Sequence, residues 1–424
     1  MKKEILHIGI FMLLIVLVLP TVCTTLIVKN QVSGVLTIAN TSSPRSSNDV
    51  DWWPCYRHDP QHTGNTSSPG PLTNTTSWTF NSTYFVYSEP SIVDDRIYFG
   101  TAGGTVFGLN AITGEQLWNF STGKWITATP TYYNGTVIFN SQDDYLYCLN
   151  ANTGSLIWKF MGNQSYWQSP TVVNGKIYFG STSSHFRNKG VIYCLNADNG
   201  KVLWTQPTKE WDFSSPAYLD GRIYIGSVRD SHIPLFPFSR TFITCLNATT
   251  GTIYWKKMTG VNSYWEPPLI SLCGNRLFYS VPTIFSGKVA CLDTATGDRL
   301  WQYSTVRGFN LLTYSGTPTV AYGKLYFQVD AYTASIKQVR CIDATTGKHI
   351  WTFKGGAGTP SYSNGKIYFG TWPNNVTNGS VFCLNAVDGN LLWRLSDIDI
   401  SGSPSIANGR MYIGTFLDKL LCFG

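Results

Sequence analysis

Charge is what this 424-residue sequence has least of: 13% of its residues are Asp, Glu, Lys or Arg, about half the ordinary share. The net charge of +7 is spread without basic runs, so nucleic-acid binding has no support. No stretch beyond the first 28 residues keeps a helical period, which predicts essentially no helix. No G-x-S-x-G elbow, P-loop, H-E-x-x-H or C-x-x-C occurs, and no two cysteines are adjacent. A Ca²⁺ loop of the D-x-[DN]-x-[DN]-G type is also missing. These gaps remove the common signatures of hydrolytic, nucleotide and dithiol chemistry. They leave open an enzyme whose acids converge from several segments.

What is present is repetition. Trp78, Trp118, Trp158, Trp204, Trp255, Trp301, Trp351 and Trp393 recur at intervals of 40 to 51 residues. A module of that length, rich in Val, Ile, Tyr, Phe and Trp, predicts one propeller blade per copy. The second copy is the cleanest. Asn134-Gly135 marks a tight hairpin, because both turn positions need φ > 0. Strands follow at Val137 to Phe139, Tyr145 to Leu149 and Leu156 to Phe160. The last copy supplies three strands, at Pro404, Met411 to Ile413 and Leu420 to Phe423, whereas an unmatched fourth strand stands around Trp78. The economical reading is an all-β, eight-bladed β-propeller of four-stranded antiparallel blades, closed by an N-terminal strand that completes the last blade.

The phrase LNAxTGxxxW ends successive copies, as LNAITGEQLW to Trp118, LNANTGSLIW to Trp158 and LNATTGTIYW to Trp255. It resembles the PQQ-like repeat of quinoprotein dehydrogenases and of the accessory lipoprotein of the bacterial outer-membrane barrel-assembly machine. The opening WPCYRHDPQHTG resembles the lead-in of exported prokaryotic proteins with this repeat. The resemblance covers about residues 52–424 and implies eight blades, with each tryptophan docked between neighbours. Quinoprotein dehydrogenases also carry an adjacent cysteine pair, a Ca²⁺ site and an Asp base; this chain has neither the pair nor the loop.

Three regions are expected. Residues 1–28, with Lys2 and Lys3 before an apolar run from Ile8 to Leu19, read as a signal peptide or membrane anchor. Residues 29–51 read as a flexible Ser/Thr/Asn-rich lead, and 52–424 as the propeller. Ten N-x-[ST] sequons follow the apolar run, which suits an exported, surface-tethered or glycosylated chain. Seven of the ten cysteines hold one repeat position and read as small buried hydrophobes. Cys55 and Cys273 are off-register and are the candidates for a bridge.

In a propeller the blade-joining loops and the second-to-third-strand loops share one face. Aromatics with interleaved acids there make a candidate ligand face of Tyr87, Trp125, Trp167, Trp211, Asp212, Trp265, Glu266 and Tyr314. Two longer loops, Ser181 to Gly190 and Ser227 to Thr241, make a candidate partner site through His185, Arg187, Phe236, Phe238 and Arg240. His58 and His62 have metal-ligand spacing, but Pro60 between them opposes a helix; the alternative is a lead-in clasping the ring. The expected function is a non-catalytic exported scaffold that binds a protein or glycan, with no cofactor and with membrane contact only through the N-terminal segment. The rivals are a dehydrogenase using PQQ with Ca²⁺, and a carbohydrate-active lyase or hydrolase using Glu89, Asp212 or Glu266 as acid or base.

Overall fold

The computed structural model describes residues 50–162, 168–182, 190–230, 239–262, 266–281, 287–305, 313–314, 316–331, 336–372 and 379–424. They form eight small antiparallel sheets and, among the described residues, no helix. Blade 1 runs Ser91–Val93, Arg96–Gly100, Thr105–Asn110, Gln116–Ser121, and blades 2 to 7 repeat that order from the channel outward. Blade 8 pairs Ser405–Ala407, Arg410–Gly414 and Lys419–Phe423 with Thr76–Asn81 as its outermost strand, so the N-terminal strand closes the ring.

Local chemistry explains the repeat. The first hairpin turns take the left-handed conformation at both positions, with φ of 47° and 80° at Asn134 and Gly135 and 50° and 77° at Asn408 and Gly409. The second turn is capped by its own asparagine or aspartate. Asn150 Oδ1, for example, accepts from Asn152 N at 2.9 Å and Thr153 N at 3.0 Å. The tryptophans then join blade to blade. Trp118 donates its indole N–H to Ala151 O of the next blade at 2.9 Å, and its ring lies where a side chain on Gly154 would stand. Trp78, Trp158, Trp204, Trp255, Trp301 and Trp351 repeat the bond at 3.1 or 3.2 Å. Trp393 does not: its indole nitrogen is buried without a hydrogen-bond partner among the described residues. Pro71 O stands in for the alanine carbonyl on that seam and takes the Tyr368 hydroxyl at 3.0 Å.

Nearer the axis, in four blades the hydroxyl after the inner-strand proline reaches the next blade's proline carbonyl, as Thr131 to Pro170 O at 2.7 Å and Ser361 to Pro404 O at 2.6 Å. The lead-in runs inside this belt. Inner-strand N–H groups of Ile92, Tyr132, Tyr218, Leu272, Val320 and Tyr362 donate to the carbonyls of Trp53, Pro54, Pro60, Gln61, Thr63 and Gly64 at 2.7 to 2.9 Å. Six blades are thus tied to one segment, which satisfies edge groups that a bare channel wall would leave to water.

The cysteines are unbridged among the described residues, Cys55 and Cys273 included. Cys55 Sγ instead donates to His58 O at 3.6 Å. The repeat cysteines are buried opposite their tryptophans, as Cys148 is to Trp158, and burial pushes the Cys148 thiol up to about 11.

Candidate functional site

Blade-joining loops and second-to-third-strand loops meet on one face through a repeated backbone bond. Ala102 N donates to Phe85 O at 2.9 Å, Gln142 N to Trp125 O at 2.9 Å and Phe416 N to Asp399 O at 2.8 Å. In blades 8, 1 and 2 an aromatic therefore sits at one end of that bond. Phe416 is the hub of a cluster: its ring centroid lies 6.0 Å from Phe85, 5.3 Å from Tyr87 and 5.7 Å from Trp372, all edge-to-face. Trp372 is 53% exposed, Tyr84 54%, Trp125 47% and Phe85 41%, so these rings are a surface and not a seam. Phe416 and Trp372 are not legible as candidates in the sequence, because each is the lone ring of its second-to-third-strand loop and its partners lie in other blades.

The acids divide by environment. Glu89 is buried, not free for chemistry: its carboxylate lies 3.7 Å from the guanidinium of the fully buried Arg57 and accepts Arg57 N at 3.1 Å. Burial raises its pKa, against the pull of Arg57. Arg57 also reaches Thr319 Oγ1 at 2.6 Å, Ser361 Oγ at 3.3 Å and Pro360 O. Asp212 and Glu266 differ, being partly buried. Burial pushes Asp212 up to about 7 and Glu266 up to about 7, the Asp212 charge adding to the second shift.

The lead-in histidines are structural. His58 stands between Asp51 at 3.3 Å and Asp59 at 3.4 Å. Burial alone would lower its pKa, but the two carboxylates hold it at about 9. His62 Nδ1 sits 3.3 Å from Ile270 O, and burial takes it down to about 4.

Of the remaining candidates, Trp211 is partly buried, its N–H donating to Val228 O at 3.0 Å. Asp212 lies in the short strand Asp212–Phe213. Tyr314 has a described backbone only, in Thr313–Tyr314. Trp167, Trp265, His185, Arg187, Phe236 and Phe238 lie outside the described residues. The second long loop is shorter than its sequence implies, because Arg222–Asp230 and Ser239–Asn247 pair as strands out to Asp230 and Ser239. Arg240 is therefore a strand residue, exposed and directly opposite Arg229. The buried Glu210 partners Arg229 at 3.8 Å and Lys256 at 2.5 Å beneath that pair.

The lead-in lies along the inner strands of six blades, and among the described residues no group of three His, Cys, Asp or Glu could hold a metal.

The family profile described as outer membrane protein assembly factor BamB matches residues 68–187, 146–335 and 335–422. No curated protein matches the sequence. Among solved structures, BamB from Moraxella catarrhalis is 15% identical with a TM-score of 0.64, over 82% of this chain and 98% of that one. Quinohemoprotein alcohol dehydrogenase from Comamonas testosteroni is 13% identical with a TM-score of 0.67, over 88% and 80%. A europium-containing methanol dehydrogenase is 14% identical with a TM-score of 0.64, over 86% and 89%. At such identities the likeness is one of fold.

Proposed function

Since this chain belongs to the family described as outer membrane protein assembly factor BamB, we propose that it is a non-catalytic scaffold acting outside the cytoplasm, holding a protein or glycan on one propeller face. An assembly factor and dehydrogenases share the fold, so the choice between them rests on the site. One observation carries the reading: exposed Phe85 and Trp372 cluster with half-buried Tyr87 and Phe416 across blades 7, 8 and 1, with Phe85 and Phe416 on loops joined to their neighbours by backbone bonds. Rigid aromatics at low entropic cost are what a binding surface uses. The full chain, immobilised, is expected to retain envelope material that a Phe85→Ala/Phe416→Ala variant does not. Equal retention by both would defeat the reading, as would dye-linked alcohol or sugar oxidation after addition of the quinone and Ca²⁺.

Asp212 and Glu266 favour a second reading, a glycan-cleaving enzyme. Two carboxyls poised near neutrality suit an acid and a base. Product analysis after incubation with oligosaccharides separates the two readings: cleavage lost in Glu266→Gln supports the enzyme, and intact sugars support the scaffold.

A further inference from the structure

We propose that blade 4 holds an anion site, built from Arg229, Arg240 and Lys256, that takes the phosphate group of a phosphorylated sugar or of free phosphate. It lies apart from the aromatic cluster of blades 7, 8 and 1 and goes beyond the scaffold reading.

Blade 4 departs from the repeat where the site stands. Its second, third and fourth strands, Arg222–Asp230, Ser239–Asn247 and Ile253–Asn262, have 9, 9 and 10 residues, against 5, 6 and 6 in blade 1. In blades 1, 2, 3 and 7 a pair of rings stacks across the second and third strands at 5.0 to 5.5 Å, as Phe99 does on Phe107. Blade 4 has Ile225 opposite Thr244 there, and its ring, Phe242, stands two residues nearer the loop, opposite Ser227. Cations cover that ring. The guanidinium carbon of Arg229 lies 5.0 Å from its centroid and Lys256 Nζ 5.1 Å.

Charge then names the ligand. Arg240 is directly opposite Arg229 in the ladder, and Asp230 holds the alternate register position. The two arginines thus leave one face of the sheet from Cβ atoms about 5 Å apart, where like charges repel. Among the described residues one carboxylate meets these cations. The buried Glu210 stands 3.8 Å from Arg229 and 2.5 Å from Lys256 Nζ. Three cations against one carboxylate leave an excess of two positive charges, which matches the charge of about −2 on a phosphate monoester. Neither guanidinium donates a hydrogen bond among the described residues, so the N–H fork of each is open to a ligand's oxygens. Residues 183–189 and 231–238, the nearest loop sequences, contain no Asp or Glu that could take that place. The side chains of Arg229 and Lys256 are 27% and 30% exposed and Arg240 is exposed, so an anion can reach all three. Glu210 and Phe242 hold Arg229 and Lys256 in advance, which lessens the order lost on binding.

Calorimetric titration of the full chain at pH 7.5 with inorganic phosphate, glucose 6-phosphate and acetate tests the site. Phosphate or its sugar ester is expected to bind about tenfold or more tighter than acetate, which carries one charge. Arg240→Gln should weaken that binding about five- to tenfold. Lys201→Gln, which removes an equal charge from an exposed residue of blade 3, should leave it unchanged. Without ligand, Arg240→Gln should melt no lower than the wild type, because it relieves a repulsion and breaks no bond; the weakened binding is then not a folding defect. Glucose 6-phosphate binding tenfold tighter than phosphate assigns the site to a phosphorylated sugar, and equal or weaker binding assigns it to the free anion. The proposal is overturned if neither phosphate compound binds, if acetate binds as tightly, if Lys201→Gln weakens binding as much as Arg240→Gln, or if Arg240→Gln melts lower than the wild type.

Discussion

Replacing Arg57 by Met should weaken the ring more than any exposed substitution, and in a pH-dependent way. Arg57 is fully buried and holds blades 6 and 7 through Thr319, Pro360 O and Ser361, and blade 1 through Glu89. Its removal leaves the Glu89 carboxylate buried and unpaired, which costs about 3–5 kcal/mol. For a ring of this size that corresponds to a fall in melting temperature of about 4–6 °C. The sign of the pH effect follows from Glu89. Burial raises its folded pKa above the unfolded value, so its contribution is present at low pH and is lost as pH rises through the folded pKa. Without Arg57 that pKa climbs further. The deficit of Arg57→Met is therefore expected to be largest at pH 8 and to shrink by pH 5.5. Adding Glu89→Gln removes the orphaned charge and should restore about 2 kcal/mol at pH 8. Thermal melts by circular dichroism at the two pH values read all of this. A single variant melting within about 1 °C of the wild type, or a double variant melting below the single one, would refute the reasoning.

Trp118→Phe should cost about 1 kcal/mol more than Trp393→Phe in denaturant unfolding, because only Trp118 loses a hydrogen bond; equal costs would count against the unpaired indole. His58, held at about 9 against 6.5 when unfolded, contributes stability that is complete below pH 6.5 and lost as pH rises through 9. The wild type should lose on the order of 3 kcal/mol over that window, and His58→Gln should flatten the alkaline limb; parallel curves would remove the assigned role. Native protein should expose little thiol to a disulfide reagent, Cys273 being the least buried. Denatured, unreduced protein should titrate nine thiols or more, and fewer than six would contradict the unbridged state.

The scaffold was legible because it depends on short-range chemistry. Asn-Gly turns, an indole every 40 to 51 residues and a spare strand at Trp78 each follow from local rules, and together they fix eight blades and their closure. The lead-in was not legible in detail. Its residues have no period; what orders Arg57 is contact with inner strands 262 to 304 residues away, at Thr319 and Ser361. Glu89 looked like a loop acid for the same reason, since nothing near it in sequence announces its guanidinium partner. On the face, Tyr87 and Trp125 stood out in aromatic blade-joining loops, whereas Phe416 is the lone ring in a short turn and becomes a hub only through blades 7 and 1.

Closure by Thr76–Asn81 has a consequence for biosynthesis. The strand leaves the ribosome early, yet Lys419–Phe423, to which it must pair, is translated hundreds of codons later. Residues 53–64 wait similarly for blades 4 to 7. Blades 1 to 3 can collapse as they emerge, but the two rims of the nascent disc stay sticky until translation is nearly done. Such distant pairing makes folding slow. A truncation that removes only Lys419–Phe423 would therefore orphan a strand made at the opposite end of the message, and the damage would surface as aggregation during synthesis and not as a merely softer protein.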